Sequence, residues 1–345
     1  MKTLKILAAL LAGLFSFNAA NAGEMTVTGS MQATYQSETQ GVNSTTGNPL
    51  GLNTDLVFTG ATEVLDGTAV TWTMATDGTF LGESSADHTL AFATSYGTIT
   101  IGNTGDAADA VDDITPSAFE EANGSGSGTY SNDVGFGSGS MNLKYSNADF
   151  FGTGIAVAYS HYPKLDSSTN NEKSASANAS ATARSANSWS LASNLSKVPV
   201  IGDTALGGLK ITLGYNQTDN SVANAQDIEG GTIALNYAMG PVSLGYQKKA
   251  YQTAGATTAA KEFYKDDVYG IAFAVNDAFA ISYNVYSSDK HNNGTANIEQ
   301  ETKAINAAYT VGGLTIAFQD AQTDNASYTS TKEDNTRTIS LKTAF

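Results

Sequence analysis

The chain carries a dense run of carboxylates that could bind metal ions or attract cations. Within sixteen positions lie Asp106, Asp109, Asp112, Asp113, Glu120 and Glu121. Carboxylate oxygens are the ligands that Ca²⁺ and Mg²⁺ prefer in proteins. A group of carboxylates in a confined opening also concentrates cations and repels anions. The run therefore predicts a segment that favours cations.

A tight metal site in this run is not expected. Asp109, Asp112 and Asp113 lack the spacing of an EF-hand loop, which requires oxygen ligands at alternate positions and a bidentate Glu at its end. We expect no firm metal site and no cofactor. A divalent cation such as Ca²⁺ could bind loosely at these three residues.

Charge and composition exclude several classes of protein. The 345 residues include 33 acidic and 17 basic side chains, and the formal net charge is -16. A nucleic-acid partner is excluded, because phosphate binding requires clustered Lys and Arg. The absence of Cys excludes a disulfide scaffold and a thiolate metal site. No Lys or Arg occurs between Lys5 and Lys144, although fifteen acidic residues lie in that stretch.

The N-terminus has the pattern of an export signal. Lys2 and Lys5 are followed by an apolar run over residues 6–17, and Ala20 and Ala22 supply small residues before a cleavage point. The run is shorter than the roughly 20 residues of a membrane-spanning helix. We therefore expect residues 1–22 to be a cleaved secretory signal peptide and residues 23–345 to be the exported domain.

The elements that position the acidic run are predicted to be β-strands. Apolar and small polar residues alternate with a period of two in residues 210–215, 232–237 and 270–275. Such alternation places Ile, Leu, Val, Phe and Tyr on one face and Ser, Thr, Asn, Gly and Ala on the other. The solvent face of a soluble sheet usually carries many Lys and Glu, whereas a small uncharged face suits a water-filled lumen. Tyr often ends the apolar set, as in the aromatic girdles of membrane barrels.

Sixteen strands are predicted along the chain, the even number expected of a bacterial outer-membrane barrel. They start near Met25, Leu52, Thr68, His88, Gly97, Ser140, Gly154, Asn187, Gly208, Ile228, Pro241, Asp266, Asp277, Thr302, Gly313 and Thr336. Long and short connections alternate between them, as external loops and periplasmic turns do. Proline cannot lie inside a central strand, so we expect Pro49, Pro116, Pro163 and Pro199 in connections.

The final strand carries a further signature, because Ile339, Leu341, Thr343 and the terminal Phe345 share one face. With this strand, the strand count and the connection of about 37 residues after the fifth strand, the chain resembles the general porin family of Gram-negative outer membranes. The resemblance is nearest to the alphaproteobacterial branch. It implies an all-β fold, a 16-stranded antiparallel transmembrane β-barrel over residues 23–345 with a long third loop folded into the pore.

The resemblance also implies a site and partners. In that family the third loop narrows the pore, so the six acidic residues would form the constriction. Porins often place a basic cluster opposite this loop; here only Lys144, Lys210 and Lys342 have lumen parity and could form a sparse substitute. The family further implies a homotrimer that contacts outer-membrane lipid and lipopolysaccharide. Its C-terminal strand, ending in Phe345, would be recognised by the barrel assembly machinery.

The predicted function is a diffusion porin of the cell outer membrane, with no enzymatic activity. Its water-filled channel would pass ions and small hydrophilic solutes passively and prefer cations. One alternative is an outer-membrane barrel enzyme, for which His291 near Asp289 is the only candidate. His88 and His161 share no metal or triad spacing with it. The other alternative is an exported soluble β-protein, such as an adhesin or lectin.

Overall fold

The computed structural model describes most of the chain beyond the N-terminal segment. The described residues are 25–40, 48–65, 68–76, 86–128, 134, 141–165, 184–198, 202, 204–219, 227–252, 262–292 and 297–345. The signal peptide predicted for residues 1–22 lies outside them, so its cleavage stays a prediction. Across the described residues, no helix has the length and apolar character needed to cross a membrane.

The described residues form sixteen strands, each starting within four residues of its predicted position. They are β1 (Met25–Gln40), β2 (Leu50–Leu65), β3 (Thr68–Thr76), β4 (Ala86–Thr94), β5 (Gly97–Asn103), β6 (Met141–Asn147), β7 (Ile155–Leu165), β8 (Arg184–Asn194), β9 (Leu209–Thr218), β10 (Ile228–Met239), β11 (Val242–Gln252), β12 (Glu262–Asn276), β13 (Phe279–Asn292), β14 (Ile298–Val311), β15 (Leu314–Asp324) and β16 (Glu333–Ala344). The described 3₁₀ helices are Asp109–Val111, Ala122–Ser125, Phe150–Gly152, Leu195–Lys197, Ala205–Gly208 and Ala326–Tyr328.

The sheet closes on itself. Each strand pairs antiparallel with its neighbours in sequence, and β1 pairs with β16 to complete the barrel. At this seam the backbone N–H of Gly29 donates to the Phe345 carbonyl, and the Phe345 N–H donates to the Gly29 carbonyl, both at 2.9 Å. The Phe345 ring lies over Gly29, where an added Cβ would come within 2.6 Å of a ring carbon. The predicted 16-stranded antiparallel barrel is therefore confirmed.

The two faces of the wall are the reverse of those in a soluble protein. Large apolar side chains such as Leu235, Ile271 and Ile305 are exposed on the outer face. Polar side chains such as Gln247 and Asn284 are fully buried on the inner face. An exposed apolar wall around a polar interior is the arrangement of a membrane barrel, and it argues against a soluble adhesin or lectin.

The prediction for one proline is wrong. Pro163 lies inside β7 rather than in a connection, at a point where the pairing of β7 with β8 shifts register between Tyr162 and Leu165. An irregular position of this kind does not require a ladder N–H, so proline is tolerated there. Pro49 and Pro116 lie in connections, as predicted, while Pro199 falls outside the described residues.

A matched pair of substitutions should distinguish the two faces. We expect Ile271→Lys to destabilise the barrel by about 2–4 kcal/mol, because it places a charge on the lipid face within the apolar run Tyr269–Val275. Ala272→Lys, on the inner face of the same strand, should cost far less. Urea titration of protein folded in lipid vesicles, monitored by tryptophan fluorescence, measures the free energy of unfolding of both variants. Equal losses for the two variants would contradict the assignment of the faces.

Candidate functional site: the third loop and the wall it contacts

The acidic segment after β5, residues 104–128, is called the third loop here, and it hydrogen-bonds to the inner face of the wall. The Ala107 N–H donates to Ser188 Oγ on β8 at 3.1 Å. On β11, Gln247 Nε2 donates to the Val111 carbonyl at 3.1 Å, and its Oε1 accepts from the Ile114 N–H at 3.3 Å. The first half of the loop therefore follows the wall from β8 to β11.

The second half of the third loop continues along the same face as far as β1. Side-chain amides and a hydroxyl on the wall donate to the carbonyl oxygens of the loop. The bonds, of 2.9–3.1 Å, run from Asn284 to Pro116, from Gln319 to Glu120, and from Thr336 and Gln36 to Ser125. An irregular backbone has no ladder partners, so polar side chains of the wall satisfy it instead.

Three glycines on the inner face make room for the loop. A Cβ added at Gly214 of β9 would lie 2.5 Å from Val111 Cγ2. One at Gly245 of β11 would lie 2.2 Å from Pro116 Cδ, and one at Gly270 of β12 would lie 2.7 Å from the Pro116 carbonyl oxygen. These strand glycines mark a close approach of another backbone, which is a known use of glycine inside a strand. Their inward parity was the available signal in the sequence, and the prediction did not use it.

Asp106 and Lys144 hold the start of the loop through bonds to its backbone. Asp106 is buried, and its Oδ1 accepts from the N–H groups of Ala108 and Asp109 at 2.6 and 2.9 Å, ahead of the short 3₁₀ helix. Lys144 Nζ donates to the carbonyl oxygens of Gly105 and Asp106 at 2.9 and 3.2 Å. Both predicted site residues therefore shape the loop backbone.

The other predicted acids divide between the interior of the loop and its surface. Glu121 is buried, and its Oε1 accepts from the N–H and the hydroxyl of Thr115 at 2.5 and 2.6 Å. Glu120 is half-buried, and its carboxyl lies close enough to Lys342 for the two charges to interact. Asp109 and Asp113 are exposed. These two carboxylates are the ones that the loop presents to solvent.

Lys249 is a wall residue that contacts the third loop and that the prediction missed. It lies on β11, and its Nζ is 2.5 Å from Asp112 Oδ1 and 2.5 Å from Asp113 Oδ1. Its side chain is 0% exposed. The signal was present in the alternation of β11, since Tyr246 on the outer face places Lys248 outward and Lys249 inward. Lys248 indeed pairs on the outer face with Asp267, at 2.8 Å.

Two further predictions concern Lys210 and a metal site. Lys210 is on the inner face, opposite Asn236 and Asn194, and Asn236 donates to the Ile114 carbonyl of the third loop at 2.9 Å. In the described part of the chain, no three His, Asp or Glu side chains form a group that could hold a metal ion. Loose binding of a divalent cation at Asp109, Asp112 and Asp113 stays a prediction.

Comparison with known proteins agrees with this geometry. The family profile described as Gram-negative porin matches residues 7–342. The chain belongs to the Gram-negative porin family. The porin fold and family support an outer-membrane channel located in the outer membrane. No protein of curated function matches the porin closely enough to add to this.

Solved structures match the porin over nearly its whole length. A loop-deletion form of OmpT from Vibrio cholerae has 12% identity and a TM-score of 0.68, covering 94% of this porin and 100% of that chain. The anion-selective porin from Comamonas acidovorans has 11% identity and a TM-score of 0.66, covering 93% and 99%. The outer membrane channel DcaP of Acinetobacter baumannii has 12% identity and a TM-score of 0.62, covering 95% and 99%. At these identities the likeness shows the fold.

Burial raises the pKa of three carboxyls in the porin's third loop, those of Asp112, Glu120 and Glu121. Burial raises the pKa of Glu121 to about 7, against the hydrogen bonds from Thr115. Burial also raises the pKa of Asp112, against the attraction of the Lys249 ammonium. The pKa of Glu120 is raised by burial and lowered in part by Lys342. The negative charge of the loop therefore increases as the pH rises through neutrality.

Substitution of Gly245 should displace the loop from the wall. A valine side chain there would overlap Pro116, so we expect Gly245→Val to expose the loop and to speed its cleavage after Glu120 and Glu121 several-fold. Digestion of the detergent-folded porin with a glutamyl endopeptidase measures this. Gly231→Val is the control, because a Cβ at Gly231 has no neighbour closer than 3.8 Å. Equal cleavage of both variants would contradict the packing of Pro116 on Gly245.

The selectivity of the porin should depend on pH with a known sign. A carboxyl whose pKa is raised to about 7 is neutral at pH 5 and charged at pH 8.5, so the cation-to-anion permeability ratio should increase between these values. Reversal potentials under a KCl gradient at each pH measure the ratio. Glu121→Gln keeps the acceptor for Thr115 and removes one titrating charge. The permeability ratio of this variant should therefore increase less between the two pH values than that of the wild type. A wild-type ratio that is flat or falls with pH would contradict this assignment.

Proposed function

We propose that this porin is a passive diffusion channel for ions and small hydrophilic solutes, with a preference for cations. The third loop would lie in the water-filled lumen and narrow it. The protein would be exported by cleavage of residues 1–22, would act as a homotrimer, and would have no enzymatic activity. Contact with lipopolysaccharide, and recognition of the strand ending in Phe345 by the assembly machinery, are part of the same proposal.

The position of the loop is supported by the face that it contacts. Its partners Ser188, Gln247 and Asn284 are buried. The outward positions of the same three strands carry exposed large side chains, namely Trp189, Leu244 and Tyr283. A segment bonded to that inner face along β8–β16 and β1 would occupy the space that the barrel encloses. Open lumen would then remain between the loop and β2–β5.

The distribution of charge on that open side supports the proposed preference for cations. Strands β2–β5 contain no Lys or Arg, while Asp55 and Glu63 lie on their inner face. Opposite them, the loop exposes Asp109 and Asp113. A low-dielectric opening with carboxylates on both sides raises the local concentration of cations and repels anions.

The enzyme alternative has no support at its candidate residue. The His291 ring stacks on Phe263 with centroids 4.4 Å apart, and its Nδ1 lies 2.9 Å from Asn297 Nδ2. His291 and Asp289 alternate with inner-face residues of β13 and so lie on the outer wall. A histidine packed against a phenyl ring on the outer wall is not arranged as a general base.

The trimer rests on two observations. One matching structure, OmpT of Vibrio cholerae at 12% identity and a TM-score of 0.66, is described as a trimer form. In this chain, the outer faces of β1–β5 carry exposed apolar side chains such as Met31, Trp72 and Leu90 and no Lys or Arg. A wide apolar wall free of bases suits packing against another copy.

Planar-bilayer recording tests the channel and its preference together. We expect stepwise conductance, and a reversal potential of cation-selective sign under a KCl gradient. Neutralising Asp109 and Asp113 to Asn should lower the cation-to-anion permeability ratio by about twofold or more, because both carboxylates border the opening. Asp267→Asn removes a carboxylate from the outer wall and should leave the ratio unchanged. An anion-selective sign for the wild type would overturn the preference, and an absence of steps would overturn the channel.

A further inference from the structure

We propose that Lys249 sets both the position and the charge of the third loop. Its ammonium lies between the loop and the wall that the loop contacts, and not on the opposite wall of the opening. The inference rests on the proposed channel function and deepens it. Lys249 would be a positioning residue for the constriction and, through the two aspartates that it neutralises, a determinant of selectivity.

The contacts of Lys249 point to a clamp. Its Nζ lies between the carboxylates of Asp112 and Asp113, at 2.5 Å from each, while the side chain itself is fully buried. The Asp112 side chain is 7% exposed and that of Asp113 is 41% exposed. Lys249 therefore reaches the loop from the wall side, while part of Asp113 still faces solvent. The Tyr286 ring, 5.2 Å from Nζ, covers the ammonium from the neighbouring wall.

Strand β11 holds the same turn of the loop at two successive inner-face positions. Gln247 bonds the backbone of Val111 and Ile114, and Lys249 holds the two aspartates between them. Asp113 has a φ of 45°, in the left-handed region that non-glycine residues adopt only when the surroundings impose it. The ion pair and the two amide bonds supply those surroundings.

The Asp112 carboxylate also joins the clamp to the return of the loop. Its Oδ2 accepts from the Val134 N–H at 3.0 Å, and Val134 is fully buried. One buried lysine therefore connects the wall to the turn and, through Asp112, to a later part of the same connection. Removal of one partner from a buried ion pair leaves the other charge uncompensated, so the arrangement is sensitive to this single residue.

The location of the base has a consequence for selectivity. Two aspartates share one ammonium behind the loop, and β2–β5 on the far side of the opening carry no base. Cations would therefore pass between the loop and a far wall, β2–β5, that has no base to draw anions to that side. Lys249 limits the negative charge of the loop, so its loss should increase the preference for cations.

The test compares adjacent lysines in the full-length porin. Lys249→Met should raise the cation-to-anion permeability ratio by about twofold or more, and should speed cleavage of the detergent-folded loop by a glutamyl endopeptidase. Lys248→Met removes the neighbouring lysine from the outer wall and should match the wild type in both measurements. Lys249→Arg keeps the charge and should restore the wild-type ratio. If Lys249→Met behaves as Lys248→Met does, the proposal is wrong.

A coupled set of variants separates a role in the ion pair from a general role in folding. If Lys249 acts through the two aspartates, Lys249→Met should have little further effect on the ratio in a protein that already carries Asp112→Asn and Asp113→Asn. An undiminished effect in that background would overturn the clamp. The protease measurement needs no channel activity, so failure of the proposed channel function would be seen separately, as a wild-type protein that gives no conductance.

Discussion

The rest of the structure depends on the need to pair every backbone N–H and C=O that faces lipid. A hydrocarbon environment offers no hydrogen-bond partners, so a sheet within it must close. The chain meets this constraint with sixteen antiparallel strands and a seam between β1 and β16. Once the wall is closed, alternation assigns each side chain to lipid or to the interior, and the outer face can be apolar while the inner face stays polar.

The same constraint applies inside the barrel, with a different solution. The third loop has little regular structure, so its carbonyl and N–H groups need partners from the wall. Asparagine, glutamine, serine and threonine on the inner face supply them from β8 to β16. The glycines at 214, 245 and 270 let the backbone approach closely enough for these bonds to form. The polar composition of the inner face is therefore explained by its hydrogen bonds to the loop as much as by contact with solutes.

The barrel was predictable because its pattern is local. A period of two, turn residues and the final strand sufficed to predict sixteen strands. The roles within the loop were harder to predict, because they depend on contacts between residues far apart in the chain. Asp106 and Glu121 look like any other acidic residue in the sequence, yet both are buried and support the loop backbone. The inward position of Lys249 could have been predicted from the alternation along β11. Its two partners, however, lie 136 and 137 positions earlier in the chain, and no periodic pattern in the sequence links them to it.

The contact of Phe345 with Gly29 distinguishes the observed register of β1 and β16 from neighbouring registers. In the observed pairing the ring lies over the one residue in that part of β1 without a side chain. A slip of two residues would keep every side chain on its proper face but would set the ring against Val27 or Met31. A slip of one residue would turn the ring towards the interior. A glycine facing a terminal aromatic ring thus lets the two ends of the wall recognise each other, so that the barrel closes in one alignment and not in its neighbours.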